Sequence, residues 1–69
     1  MHRFYVELSA IQKDTIIIEG SDVNHIKNVL RLTSSDEIVV CNGNGMDYYC
    51  VIDEVTKEQV RCSIQKSIE

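Results

Sequence analysis

Short apolar runs rich in β-branched and aromatic residues, separated by polar turns, recur along most of the chain. This pattern predicts strands rather than helices. The predicted strands cover residues 3–7, 15–19, 37–41, about 46–55 and 60–65. In the last strand, Val60, Cys62 and Ile64 alternate with polar residues, as in a strand with one buried face. Residues 9–14 fit either a loop or a short helical turn.

One segment alone shows a helical period. Its apolar stripe consists of Val23, Ile26, Val29 and Leu30. The spacing predicts a helix of about three turns, with Gly20 ending the preceding strand and Ser21 as the N-cap. Asp22 in the first turn suits the positive end of the helix dipole.

Two polar segments in the second half of the chain predict hairpin turns. Residues 42–45 are Asn-Gly-Asn-Gly, a strong hairpin pattern because both residue types tolerate positive φ, and residues 56–58 predict a second turn. Residues 42–45 are not a phosphate-binding loop, since such a loop leads into a helix. The elements together predict a mostly β fold: a small barrel of five or six strands with one short α-helix, because barrel closure removes exposed strand edges.

The length of the chain limits its chemistry. Sixty-nine residues predict a single domain, residues 1–69, with one modest core and hardly any material for a walled substrate pocket. We therefore expect the chain to be non-catalytic by itself, and we predict no catalytic residue and no metal site. His25 has no carboxylate or nucleophile at a recognisable spacing.

The charge of the chain is unevenly distributed. The formal net charge is −4, from 11 acidic and 7 basic residues. This excess is evidence against a stand-alone nucleic-acid binder, because Lys and Arg supply most of the affinity for phosphates. Residues 24–31 differ from the average, since they include His25, Lys27 and Arg31 and no acidic residue.

The three cysteines, Cys41, Cys50 and Cys62, lie in apolar runs without a Cys-x-x-Cys pair. We interpret them as buried reduced thiols, with metal binding or redox chemistry as the lesser alternatives. The odd number of cysteines and the absence of a signal-peptide pattern favour a reducing compartment, so we expect a cytoplasmic location. No apolar run approaches the ~20 residues that cross a bilayer, and no membrane partner is expected.

The polar side of the predicted helix is the candidate binding surface. Lys27 and Arg31 are four positions apart and are predicted to share a face with Asn24 and Asn28. Such a face is either an ordinary solvated surface or a phosphate-contacting surface whose amides also reach a base edge. Arg3, at the start of the first strand, extends the second interpretation.

Aromatic residues and His25 leave two interpretations open. His25 borders the apolar stripe and either packs there or contacts a phosphate or base. Tyr5, Tyr48 and Tyr49 either stack on bases or, for at least some of them, fill the core.

Several motifs together resemble one family. The N-terminal sequence MHRFYV is similar to an MHRFFV-type start, and residues 25–31, HIKNVLR, match an HIxNVLR motif. Residues 36–38 match a GDEI-type lead into a strand, and residues 42–45 with Tyr48 or Tyr49 are similar to a DGxGxxY hairpin. These motifs, in this order, resemble the N-terminal domain of RsmE-type small-subunit ribosomal RNA methyltransferases.

The resemblance implies a PUA-like β-barrel that binds RNA, with the family's SPOUT methyltransferase domain absent from this chain. The family methylates N3 of a uridine in 16S ribosomal RNA with S-adenosylmethionine, which is expected in the missing catalytic domain and not in this one. Expected partners are small-subunit ribosomal RNA, the C-terminal SPOUT domain of the same protein and, for the full-length protein, a second copy in a homodimer.

By this resemblance, the RNA-binding candidates are Arg3, His25, Asn28 and Arg31, while Lys27 is added on charge and position alone. Two turn positions depart from the family pattern. Asn42 replaces the usual aspartate of the hairpin, and Ser35 replaces the glycine before Asp36.

Two competing functions remain at this point. The chain is also consistent with a protein-interaction barrel that docks on the catalytic domain or on a second subunit with little RNA contact of its own. The net charge favours this alternative, and the basic helix face opposes it. A self-contained enzyme or metal protein is poorly supported by the size of the chain.

Overall fold

The computed structural model describes all 69 residues. Six strands are present: β1 (His2–Tyr5), β2 (Ile11–Gln12), β3 (Thr15–Glu19), β4 (Glu37–Cys41), β5 (Asp47–Val55) and β6 (Gln59–Ile68). One helix, α1, begins as an α-helix at Ser21–Asn24 and continues as a π-helix at His25–Val29. A 3-10 turn at Leu8–Ala10 and the short strand β2 occupy the region where the sequence left a loop or a helical turn open. No helix is long and apolar enough to cross a membrane.

All six strands form one curved sheet in the order β1-β4-β5-β6-β3-β2. β1 pairs with β4 in parallel, and every other pair is antiparallel. The terminal strands of the sheet, β1 and β2, do not pair with each other, so the sheet is a half-barrel with an open side. The predicted mostly β, PUA-like barrel fold with one short helix is confirmed.

The inner face of this sheet forms an entirely apolar core. All 13 buried residues are apolar, and no polar or charged side chain is buried. In β3, Ile16 and Ile18 are buried whereas Ile17 between them is half-buried, as expected for alternate residues of a strand. Val23 and Ile26 of α1 join the same core, and each such side chain stabilises the fold by about 1.5–3 kcal/mol.

Both predicted turns are confirmed. In the first turn, the glycines adopt the positive φ angles and the asparagine side chains accept hydrogen bonds from the backbone. Gly43 and Gly45 adopt the positive φ values, 84° and 89°. The Asn42 and Asn44 side-chain oxygens accept hydrogen bonds from the backbone N–H groups of Asn44 and Met46, both at 3.1 Å. The asparagines therefore hold the turn with their side chains rather than with their own φ angles.

The start of α1 differs from the prediction. Gly20, not Ser21, occupies the N-cap position with a φ of 80°, and no side chain caps the helix. The prediction that Ser21 is the N-cap is wrong, because the positive φ of glycine lets the helix begin one residue earlier. Asp22 lies in the first turn as predicted.

The second half of α1 is wider than the predicted α-helix. The Leu30 N–H donates to the His25 carbonyl at 2.9 Å, which is the i to i−5 bond of a π-helix. The wider turn rotates later residues away from the apolar stripe. Val29 consequently is 61% exposed, and its predicted place on the buried face is wrong.

Residues 33–36 form a tight turn before β4, in which a non-glycine residue adopts an unfavourable backbone conformation. The Asp36 N–H donates to the Thr33 carbonyl at 3.1 Å, and the Asp36 carboxylate accepts from the Thr33 N–H at 2.8 Å. Ser35, at the third position, has a φ of 77°. Turns of this kind favour glycine at that position, which is the residue expected from the family pattern.

We expect Ser35→Gly to stabilise the protein by about 0.5–1 kcal/mol, because glycine removes the steric penalty of positive φ and returns only part of it as unfolded-state entropy. Urea denaturation measures the effect. Ser34→Gly is the control, since Ser34 does not have a positive φ, and it should be neutral or destabilising. Equal effects of the two substitutions would contradict the strain at Ser35.

The three cysteines are free thiols. Cys50 and Cys62 are buried, as expected, and Cys41 is half-buried with its thiol 3.5 Å from the Phe4 carbonyl oxygen. Burial raises the pKa of Cys50 to about 11 and, with nearby Cys50 and Asp53, that of Cys62 to about 12. Both thiols therefore stay protonated in the folded protein at neutral pH.

These pKa values predict a loss of stability in alkali. The unfolded chain loses its thiol protons above pH ~8.5, whereas the folded chain keeps them until the raised pKa values are reached. The free energy of unfolding should be constant with respect to these groups below pH ~8.5 and then fall by up to ~1.4 kcal/mol per pH unit for each cysteine. Urea denaturation between pH 7.5 and 10.5 should show a shallower decline for Cys50→Val/Cys62→Val than for the wild type. Identical declines would refute this origin.

Candidate nucleic-acid interface

A groove of about 490 Å³ lies between β1 and the first half of α1. Its polar lining includes His2, Arg3, Ser21, Asp22, Asn24 and His25. The groove lies where the Phe4 ring of β1 meets His25 of α1, while Val23 and Ile26 of the same helix are buried in the core. The fold thus brings two predicted site residues, Arg3 and His25, into one concave surface although they are far apart in the sequence.

His25 is the first residue of the π-helical segment, and its side chain is exposed. Its ring meets the buried ring of Phe4 edge to face, with centroids 6.3 Å apart and an interplanar angle of 72°. The interpretation that His25 packs beside the apolar stripe is therefore confirmed, and its contact with a phosphate or base stays a prediction. One side of the imidazole packs on Phe4, and the remainder lines the groove, where it is accessible to a ligand.

Arg3 extends outward from β1 and pairs with Asp47 at the start of β5. The guanidinium donates to the Asp47 carboxylate at 2.8 Å, and the side chains are 56% and 34% exposed. The hydrogen bond from Arg3 to this carboxylate raises the pKa of Arg3. Much of its positive charge is therefore balanced within the protein. The guanidinium nevertheless has five N–H donors, and a single carboxylate does not occupy all of them.

Asn28 contacts its neighbour on the preceding turn rather than an acidic group. Its amide donates to the Asn24 side-chain oxygen at 2.6 Å. Asn24 lines the groove, so this bond fixes the orientation of an amide at the edge of the groove. Asn28 itself is exposed beside it.

Lys27 and Arg31 are exposed, and neither forms an ion pair. The prediction that they share one helix face is wrong. The helix ends at Val29, and Arg31 lies beyond it with a left-handed φ of 55°. The Leu32 N–H bonds back to the Ile26 carbonyl at 2.9 Å and closes the helix end around Arg31. Both cations therefore project from the same end of α1, one from the helix and one from its terminal turn.

Residues 18–65 of the chain match the family model described as "RNA methyltransferase PUA domain". The chain belongs to this family. The resemblance carried by the sequence motifs is thereby confirmed.

Individual relatives agree with the family assignment. The PUA domain is 34% identical over 67 residues to Ribosomal RNA small subunit methyltransferase E of Bacillus subtilis (strain 168), covering 93% of this chain and 26% of that protein. A solved structure of a predicted RNA methyltransferase from Thermotoga maritima is 29% identical with a TM-score of 0.87, over 100% of this chain and 31% of that one. Ribosomal RNA small subunit methyltransferase E from Neisseria gonorrhoeae, bound to S-adenosyl methionine, is 27% identical with a TM-score of 0.78, over 99% and 28% of the two chains. The PUA domain spans between a quarter and a third of these proteins.

The sequence did not reveal the partner of Arg3 in the PUA domain. Asp47 faces Cys41 across β4 and β5, and Cys41 faces Tyr5 across β4 and β1. Arg3 and Asp47 therefore meet only because three strands are in one particular register. The only available indication was a lone acidic residue just after a hairpin, which the sequence shares with many solvent-exposed turns.

The tyrosines of the PUA domain divide between the core and the surface. Tyr48 packs against the core, and Tyr49 lies beneath the Lys66 ammonium, 5.0 Å from its ring centroid. Tyr5 is 64% exposed and lines the groove, with its hydroxyl donating to the Asn42 carbonyl at 3.3 Å. Tyr5 is thus the aromatic residue positioned to stack on a ligand beside Arg3 and His25.

Gly43 lies against the Tyr5 hydroxyl, and we expect Gly43→Ala to be more destabilising than Gly45→Ala by about 0.5–1.5 kcal/mol, the cost of displacing the exposed Tyr5 side chain from its rotamer. Both glycines have positive φ, so both substitutions introduce backbone strain. Only at Gly43 would the new Cβ overlap the Tyr5 hydroxyl, whereas nothing lies near a Cβ at Gly45. Thermal or urea denaturation measures the difference. When Tyr5→Phe is also present, the difference in stability between Gly43→Ala and Gly45→Ala should become smaller. An unchanged difference would contradict the packing of Tyr5 on Gly43.

Proposed function

We propose that this PUA domain binds and positions small-subunit ribosomal RNA for a methyltransferase domain of the same protein. In this proposal the full-length protein is a homodimeric, cytoplasmic enzyme of ribosome biogenesis that methylates N3 of a uridine in 16S ribosomal RNA. The family assignment and the relatives named above support an RNA-binding domain of a ribosomal RNA methyltransferase.

The observation that carries the proposal is the pair of exposed, unpaired cations at the end of α1. Residues 24–31 contain Lys27 and Arg31 without an acidic residue, and no carboxylate of the protein lies within ion-pair distance of either. Cations left unbalanced in a chain of net charge −4 retain their attraction for phosphate. Lys27 lies on the helix that presents His25 and Asn24 to the groove, and Arg31 lies just beyond the end of that helix.

The two kinds of contact have different roles. Lys27 and Arg31 would bind backbone phosphates, which fixes the register and orientation of the RNA but carries little sequence information. His25, Asn24 and Tyr5 would contact an unpaired nucleotide through hydrogen bonds and stacking. Asn28 would act through Asn24, and Arg3 would use the N–H groups that Asp47 leaves free. The domain then contributes orientation of the substrate rather than a chemical step.

S-adenosylmethionine supplies the methyl group in the proposed reaction, and we do not assign it to the glycine-rich loop of the PUA domain. The one glycine-rich loop, residues 42–45, joins two strands. The asparagine side chains of this loop accept hydrogen bonds from two backbone N–H groups of the loop. These two N–H groups are therefore already used and do not point freely at a ligand. We therefore assign the cofactor to the catalytic domain of the full-length protein.

The proposal is tested by titrating the 69-residue protein with a decoding-region fragment of small-subunit ribosomal RNA at several salt concentrations. We expect weak binding that falls with salt, and a loss of about tenfold or more in Lys27→Ala/Arg31→Ala at low salt. The slope of log affinity against log salt should become shallower by roughly one to two, as expected for one or two lost phosphate contacts.

A matched control separates a local effect from the change in net charge. Lys57→Ala/Lys13→Ala also removes two exposed lysines, both in turns away from the groove, and should bind nearly as the wild type does. An equal loss in both double variants would reduce the interaction to general electrostatics. No binding at low salt by the folded protein would contradict RNA positioning and favour a domain that only docks on its catalytic partner.

A further inference from the structure

The open side of the half-barrel leaves two strand edges without partners across one groove. β2 pairs only with Thr15 and Ile16 of β3, so residues 17–19 have no strand neighbour on that side. Residues 5–7, at the end of β1, lie opposite them. Both segments line a groove of about 450 Å³, which we call the seam.

The backbone along the seam is able to accept a further strand. The Val6 N–H donates to the Cys41 carbonyl of β4 at 2.9 Å. Because successive N–H groups of a strand point to opposite edges, those of Tyr5 and Glu7 point away from β4 towards the open side. An unpaired edge of this kind is a ready template for an extended peptide.

The side chains of the seam combine apolar surface with uncompensated negative charge. Its apolar lining includes Val6, Ala10, Ile17 and Ile18. Its three carboxylates belong to Glu7, Glu19 and Asp22, and none of them forms an ion pair. Leu8, beside the seam in sequence, is 68% exposed. A ligand that suits this surface is both apolar and cationic, and the carboxylates repel nucleic-acid phosphates.

We propose that the seam is a docking site for an extended segment of a partner protein in which lysine or arginine side chains alternate with apolar ones. The segment adds as a strand beside β1. Its apolar side chains face inward beside Val6 and Ile18, and its cations face outward beside Glu7 and Glu19. Alternation is required because successive side chains of a strand point to opposite faces. This site goes beyond the RNA function and does not depend on it.

The first test uses a fluorescent hexapeptide of alternating valine and lysine, with a valine–glutamate hexapeptide as its counterpart. We expect the 69-residue protein to bind the lysine peptide and not the glutamate peptide, as measured by fluorescence anisotropy. Amide shifts in the nitrogen-15 NMR spectrum should concentrate at residues 5–7 and 17–19. No binding at millimolar protein, or shifts centred elsewhere, would overturn the proposal.

Charge variants locate the cation contacts. Glu7→Gln/Glu19→Gln should weaken binding of the lysine peptide about tenfold or more. Glu58→Gln/Glu69→Gln changes the net charge equally at exposed positions outside the seam and should bind as the wild type does. Equal weakening in both would mean that only net charge attracts the peptide.

A proline variant tests strand addition itself. Glu7 has a φ of −79°, which proline tolerates, so Glu7→Pro removes one edge N–H with little strain. We expect it to bind the peptide several-fold more weakly than Glu7→Ala, which lacks the same carboxylate but keeps the N–H. Equal affinities would rule out backbone pairing with β1. Competition by oligouridine, with shifts at residues 17–19, would identify the seam as an RNA site and overturn the proposal.

Discussion

The curvature of a single sheet around an apolar interior governs the rest of this structure. Twelve of the thirteen buried residues form this core, none of them is polar, and most of them are contributed by strands. In a chain of this size no second layer covers the sheet apart from the short helix α1. The sheet must therefore curve until its own inner side chains meet, and everything functional lies on its rim or its outer surface.

The sheet does not close into a full barrel, and two different surfaces, the groove and the seam, lie along its open side. On one side of Tyr5 and Asp22, residues of β1 and α1 line the groove that contains Arg3 and His25. On the other side the strands fail to meet, and the seam contains Glu7 and Glu19. The two surfaces share a wall but differ in charge, because the seam contains three carboxylates and no cation, whereas the groove contains both Arg3 and Asp22. The cations without an ion-pair partner, Lys27 and Arg31, lie outside both linings at the end of α1. A net charge summed over the whole chain does not show this separation.

The sequence predicted those features that depend on neighbouring residues. The alternation in β6 and the Asn-Gly steps of residues 42–45 act locally, so five of the six strands and both hairpin turns were predicted, whereas the two-residue strand β2 was not. The helix was predicted less well, because a π-helix and a glycine N-cap have no distinct hydrophobic period. The partnership of Arg3 with Asp47 depends on the register of three strands and was beyond any local pattern. The left-handed conformation of Arg31 was missed for a related reason, since the favoured residue there is glycine or asparagine.

The parallel pairing of β1 with β4 has a consequence for the order in which the protein is assembled. β5 and β6 are joined by a tight turn and can pair as soon as both are made, with β4 following across another short hairpin. β1 is the first strand to be synthesised, yet its partner is made only after β2, β3 and α1. During synthesis on the ribosome, β1 therefore has no strand partner until β4 has been made. Folding is dominated by contacts between distant parts of the sequence, and this places the protein among slowly folding small domains. The groove depends on this distant pairing, because docking of β1 brings Phe4 beneath His25, and Arg3 meets Asp47 only once β5 has joined β4.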